Sequence, residues 1–226
     1  MPIFFLQIDS TAAATTSVAQ VDSLWSLLAK GGPLMIPLGI LFGLVVYFFT
    51  ERLLAIKKIS KSEHPFMDQI RPLIVQGDLN NAKKLSSNTN HPIARIISKG
   101  IQRIGKPIDA IEKSMENVGK AEIYQLEKNL NIISIIARIA PLFGFIGTII
   151  GLVMLLKEFA TISNPSVSQI ADAMYVKLIT SATGLLIGMM AYLGHSYLDT
   201  QINRIANQME SAGNELIDLL QEPTTV

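Results

Sequence analysis

The 226-residue chain contains no cysteine. That removes disulfides, thiol nucleophiles and cysteine-based metal sites at once. Charge is scarce as well: 16% of residues are Asp, Glu, Lys or Arg, where an ordinary globular domain carries roughly 25%. Lys and Arg number 19 and Asp and Glu 18, for a net charge of +1, so bulk charge points to no nucleic-acid partner. His64, His91 and His195 are widely spaced and form no ligand cluster. No metal or cofactor is expected. Strand-like alternation of useful length is also missing, which leaves helices as the building element.

Long apolar runs are what the chain has instead. Hydrophobic residues make up 49% and mean hydropathy is +0.38. Three runs are free of charge: 31–50, 139–156 and 178–198, of 20, 18 and 21 residues. A helix needs roughly 20 apolar residues to cross hydrocarbon. The second run is extended backwards by "NLNIISIIA", with Arg138 beside it placed to snorkel towards the interface. A core large enough to bury all three runs in water is beyond a chain of this length, so they are expected to span a membrane.

Orientation follows from the basic residues. Between the first and second spans lie 14 Lys and Arg, from Arg52 to Lys128. The first 30 residues hold only Lys30, and the loop between the second and third spans holds only Lys157 and Lys177. Arg52, Lys57, Lys58 and Lys61 cluster directly after the first span. The middle region and the C-terminus are expected inside, the N-terminus and the second loop outside. The opening "MPIFFLQIDSTAAATTS" has no basic n-region and reads as a translocated tail rather than a cleaved signal.

The middle region reads as helices. Gly77-Asp78 marks a break that caps a following helix. Ile93, Ile97, Ile101 and Ile104, then Ile108, Ile111, Met115 and Val118, recur at helical spacing. Pro107 fits the first turn of a new helix, with Asp109 and Glu112 at its positive end. That helix is expected to run without interruption into the second span. After the third span, Leu198, Ile202, Ile205, Met209, Ala212, Leu216 and Leu219 recur at alternating spacings of four and three. Pattern alone leaves two readings of this seam: packing on the chain's own helices, or self-association about an axis. Pro223 is expected to close the segment.

On a helix, Ala140, Gly144, Gly147 and Gly151 form one stripe of small residues with Thr148 beside it. Thr180, Gly184 and Gly188 repeat the design in the third span, with Ala191 continuing the row and Ser181 and Thr183 adding hydroxyls. Lipid provides no hydrophobic drive between helices, so small residues mark where backbones press together. The first span, bulkier at its inner end through Tyr47, Phe48 and Phe49, is expected to be an outer, lipid-facing helix. For Thr148, Thr180 and Ser181, spacing allows either ordinary packing or a polar strip along a path. Neither the second nor the third run contains Asp, Glu, Lys or Arg, whereas carrying a proton across a membrane uses an ionisable relay. If the chain belongs to a proton-driven machine, another subunit must bring the carboxylate. A hydrolase built on Ser181 and His195 is excluded, because fourteen residues of helix separate them by about 21 Å. His195 reads as an interfacial histidine, and the chain as not an enzyme.

The residues at these positions resemble the MotA/TolQ/ExbB proton-channel family, on its ExbB/TolQ side. "ERLLAIKKIS" follows the first span as the family's Glu-Arg pair does. "GDLNNAKKLSSNTNHPIARIISKGI" resembles its cytoplasmic segment, "APLFGFIGTIIGLV" its second span, and "IADAMYVKLITSATGLLIG" the start of its third, across roughly residues 24–197. The resemblance implies an all-α membrane protein: three transmembrane helices extended by a cytoplasmic helical bundle, assembled as a homopentamer around a central pore. It implies a periplasmic tail (1–30), transmembrane helices at 31–50, 131–156 and 178–198, a cytoplasmic helical region (51–130), a periplasmic loop (157–177) and a cytoplasmic C-terminal helix (199–226), in a bacterial inner membrane. The implied partners are two copies of a single-span ExbD- or TolR-like protein inside the pore, whose aspartate carries the proton, and a TonB-like energy transducer. Thr148 corresponds to the family's second-span threonine, and Thr180 and Ser181 to its third-span hydroxyl pair, with serine in second place. These three are expected to face the partner's aspartate. The implied function is proton-driven energising of outer-membrane transport; TolQ-like envelope maintenance, another motor of the family or a non-conducting scaffold are the alternatives. Some ExbB members carry a glutamate where this chain has Val176, followed here by Lys177, with Asp172 one turn earlier.

Overall fold

A computed structural model of the chain describes residues 32–60, 64–161 and 166–221. The side chains of Ser60, His64, Pro65, Gln169, Asp172, Ala173 and Val176 are not described. The tail 1–30, Gly31 at the start of the first run, Lys61 of the basic cluster and the closing Pro223 lie outside these residues. Among the described residues there are seven helices and no strand: α1 (Met35–Ser60), α2 (His64–Val75), α3 (Leu79–Asn88), α4 (Pro92–Ile101), α5 (Ile108–Leu126), α6 (Leu130–Phe159) and α7 (Val167–Gln221).

Three of them are long and apolar enough to cross a membrane: α1, α6 and the part of α7 from Lys177 onwards. Among the described residues α6 and α7 make the most extensive helix contact, and α1 packs against both. One side of α1 is buried through Leu38, Val45 and Ile56, while Ile36, Ile40, Tyr47 and Leu54 on other sides are open. The bulky stretch of α1 at Tyr47, Phe48 and Phe49 is not turned wholly away from the other helices. Phe49 lies over Gly194 of α7, where an added methyl would come within 3.1 Å of the ring.

α7 runs unbroken for 55 residues, from outside the third apolar run to the end of the described chain. It begins at Val167, so the segment expected to connect the second and third spans, 157–177, includes the first turns of α7. Its lower half carries the four-three seam, and the structure decides between the two readings of it. Leu198, Ile202, Ile205, Met209, Ala212 and Leu216 are all at most 4% exposed within a single chain. They form one core with α2 to α5, including Ile70, Ile93, Ile97, Ile111 and Met115. Intramolecular burial therefore consumes the stripe that resembled an oligomerisation seam.

The short helices are set by local chemistry. Gly77 takes a φ of +71°, accessible to glycine at low cost, and Asp78 then caps α3 by accepting from the Asn81 N–H at 3.2 Å. His91 caps α4 through Nδ1, which accepts from the Ile93 N–H at 3.2 Å, with Pro92 in the first turn. Pro107 stands at the N-cap of α5, one position before the first turn where it was expected. α4 and α5 are locked by Arg95, whose Nε and Nη2 both donate to the carboxylate of Glu122, a side chain only 8% exposed.

The expected continuous helix into the second span is not formed. α5 ends at Leu126 and α6 begins at Leu130. Between them Asn129 adopts φ +64°, the only positive φ at a non-glycine among the described residues. The end of α1 holds this break. Arg52, 8% exposed, donates through Nη1 to the Gln125 carbonyl at 3.2 Å and through Nη2 to Glu51 at 2.9 Å. The other oxygen of Glu51 accepts from Asn129 Nδ2 at 3.4 Å. A helix C-terminus leaves carbonyls without intrahelical partners, and a cation there is favourable. Helical periodicity on both sides of residues 127–129 hid this break, because asparagine is the non-glycine residue that enters the left-handed region most readily.

Candidate functional site

The two small-residue stripes find each other within one chain. Gly144 of α6 faces Ser181 and Gly184 of α7: a methyl on Gly144 would stand 3.0 Å from the Ser181 carbonyl oxygen and 3.3 Å from the Gly184 Cα. One turn towards the N-terminus of α6, Gly188 receives the ring of Pro141, whose Cγ would be 2.5 Å from an added methyl. One turn towards the C-terminus of α6, a methyl on Gly147 would meet the Thr180 methyl at 3.0 Å and Leu34 at 3.3 Å. Ala140, Gly144, Gly147 and Gly151 of α6 are buried, as are Gly184, Gly188 and Ala191 of α7. The stripe does press on another backbone, and in this structure that backbone is the chain's own third span.

The three hydroxyl residues divide on this frame. Thr180 is 2% exposed and sits inside the seam against Gly147. Thr148 and Ser181 are partly open beside it. Thr148 Oγ1 donates back to the Phe145 carbonyl at 2.6 Å, which satisfies its proton and leaves its lone pairs to accept. Thr183 does the same with the Ile179 carbonyl at 2.9 Å. The contacts of Gly144 with Ser181 and of Gly147 with Thr180 place all three residues at one level of the helix pair.

Two features escaped the sequence. Lys177 lies across Gly151: a methyl there would overlap the Cγ, Cδ and Cε of the lysine, so the stem crosses from α7 onto α6 at the end of the seam. The third glycine of the stripe, Gly151, one turn beyond Thr148, was the available signal. The second feature is the groove at the opposite end of the spans, a space of about 560 Å³ bordered by His195, Asp199, Tyr124, Glu127 and Lys128. His195 is half-buried there, and α7 is unbroken between it and Ser181. Arg138 is exposed and folds back along α6, its Nε donating to the Ser134 carbonyl at 3.3 Å, the direction a snorkelling arginine takes. Among the described residues no group of three or more His, Cys, Asp or Glu is placed to hold a metal ion.

Residues 88–211 match the MotA/TolQ/ExbB proton channel family. That stretch covers the break, the second span, the third span and most of the buried seam below it. Among similar proteins is an ExbB-homologous biopolymer transport protein of Methanothermobacter thermautotrophicus, 24% identical over 161 residues, or 71% of this chain and 57% of that one. The chain thus spans less than two thirds of that relative. The biopolymer transport protein exbB1 of Vibrio cholerae is 25% identical over 201 residues, covering 86% of this chain and 87% of its own. An ExbB-like protein of a Synechocystis species is 23% identical over 214 residues, 92% and 83% of the two chains. Three long apolar helices, a glycine-lined contact between the second and third, hydroxyls at its edge and the extent of the family match agree: the chain is a membrane protein of the MotA/TolQ/ExbB proton channel family, on its ExbB branch.

Proposed function

We propose that this chain is the channel-forming stator subunit of a proton-driven motor in a bacterial inner membrane. Five copies surround a pore that holds two single-span, ExbD- or TolR-like partners, with the N-terminus periplasmic and the C-terminus cytoplasmic. The partner's aspartate carries the proton, and its movement energises outer-membrane transport through a TonB-like transducer. The observation that carries this reading is the α6–α7 seam: hydroxyls of Thr148 and Ser181 stand at its edge, and Thr180 within it, while neither charge-free run contains a carboxylate of its own.

The energetics are of the right size. One charge crossing 100 mV releases about 2.3 kcal/mol, comparable with the ~1–3 kcal/mol of typical coupling between sites. An ionised aspartate at mid-membrane costs roughly 2.5–3.5 kcal/mol on insertion scales. Hydroxyls at the seam offset part of that cost, and protonation removes it, so the partner helix can step past an apolar wall. The partly open Thr148 and Ser181 are the groups that meet the aspartate first, with Thr180 supporting the wall from inside the seam.

The test is Thr148→Val, which keeps the shape of the side chain and deletes its hydroxyl. The complex is expected to assemble with unchanged stoichiometry while proton-dependent uptake is lost. Normal uptake with that variant would sink the reading.

A further inference from the structure

The charge at the outer end of the seam is not used by the mechanism above. Lys177 is half-buried, and its stem is laid over Gly151 rather than extended away from the helix pair. A lysine that merely anchors a helix at the interface snorkels away from the hydrocarbon. This one crosses to the neighbouring helix, into a seat that exists only because residue 151 has no side chain. The seat of the lysine stem lies one turn from Thr148 and Thr180, each three residues away along its own helix, or about 4.5 Å of rise.

Nothing described in the chain neutralises it. The ion pairs among the described residues are Arg52–Glu51, Arg71–Glu215, Arg95–Glu122 and Lys120–Glu116. On α6 the other charged groups at this end are Lys157 and Glu158, and α1 brings none between residues 32 and 50. On α7 the titratable residues of the preceding turns are Tyr175 and Asp172. A half-buried lysine whose stem is seated on a charge-free seam favours a carboxylate partner for its ammonium.

We propose that Lys177 is the counter-charge for the carboxylate of the single-span partner. It pairs with that group while it is ionised, at the outer end of the α6–α7 seam. Proton uptake from the outer side adds a proton to a carboxylate oxygen. The lysine keeps its own, and the attraction that held the partner helix at this level is lost. Lys177 is therefore a positioning residue that ties release of the partner helix to proton entry. This rests on the channel reading above.

The experiment uses the complex of the full chain with its single-span partner, reconstituted in liposomes. Proton flux is measured against outer pH at a fixed membrane potential. A neighbouring cation favours the ionised carboxylate, so Lys177→Gln is expected to raise the pH of half-maximal flux by about one unit. Lys177→Arg is expected to keep the parent midpoint. Gly151→Ala retains the lysine but removes its seat, and is expected to move the midpoint in the same direction as Lys177→Gln. A parent midpoint in Lys177→Gln overturns the proposal and leaves the lysine as an interfacial anchor only. If that variant does not assemble, Gly151→Ala decides by the same criterion. Flux that survives neutralising the partner's aspartate sinks the channel reading and this one together. Flux that needs the aspartate but ignores Lys177 sinks this one alone.

Discussion

Gly184 and Gly144 meet backbone to backbone: a methyl group on Gly184 would stand 2.9 Å from the Gly144 Cα and 2.7 Å from the Ala140 carbonyl oxygen. Neither the backbone nor a carbonyl can move aside as a flexible side-chain tip does. Gly184→Val therefore forces α6 and α7 apart, at a cost of about 1–3 kcal/mol for overpacking. The expected result is a lowered unfolding temperature in detergent. Gly213→Ala, further along α7 with nothing within 4 Å of the new methyl, is expected to stabilise by roughly 0.5–1 kcal/mol through helix propensity. Equal effects of the two changes would contradict the close approach.

The hold of Arg52 on the α5–α6 break makes a second prediction. Arg52→Met removes the donor to the Gln125 carbonyl and releases Glu51, while its apolar stem still packs. Hydrogen bonds to charged groups contribute about 1.5–3 kcal/mol each, so a loss of that order is expected in detergent unfolding. Asn129→Gly keeps the left-handed backbone and is expected to be mild. Asn129→Val, a β-branched residue at φ +64°, is expected to cost about 1–2 kcal/mol. Hydrogen exchange at residues 125–130 would report local opening in the damaging variants.

Glu122 is the buried half of the α4–α5 lock, with its side chain 8% exposed and Arg95 at 40%. Removing one member of a buried pair costs about 3–5 kcal/mol; the openness of Arg95 to solvent lowers the expectation to roughly 2–3 kcal/mol. Arg95→Met is the more damaging change, because it leaves a carboxylate in the core without its cation. Glu122→Gln keeps a hydrogen-bond acceptor and is expected to lose less. Chemical unfolding of the two variants gives the order.

Leu198 and Leu216 are fully buried within one chain. Leu198→Ala is expected to destabilise by about 2–5 kcal/mol. If the seam belongs to the protomer, that loss does not depend on protein concentration. Unfolding midpoints measured at two concentrations a hundredfold apart check this, and a concentration-dependent loss would restore the self-association reading.

The spans, the Gly77–Asp78 cap and the small-residue stripes were legible because each is a local pattern with a local cause. The α5–α6 break was not, since the residue that makes it, Asn129, is held by Glu51, 78 positions away. Lys177 read as a loop charge next to the third span, and only its place over Gly151 gives it a role. Among the hydroxyls, sequence could not separate Thr180 from Ser181, because adjacent residues on a helix point about 100° apart and the position of the neighbouring helix fixes which one is covered.

The sequence by itself determined that the chain is helical, that it carries three runs long and apolar enough to cross a membrane, that it contributes no carboxylate to the two charge-free runs behind the seam, and which family it resembles. Composition and period are enough for those conclusions, since apolar length and 3.6-residue spacing act within single segments. Tertiary structure decided what the stripes touch. The glycine rows close on each other rather than remaining free for a second copy, and the four-three seam of α7 is spent on its own core. Both outcomes depend on which surfaces the fold brings together, and no spacing rule within one helix contains that information.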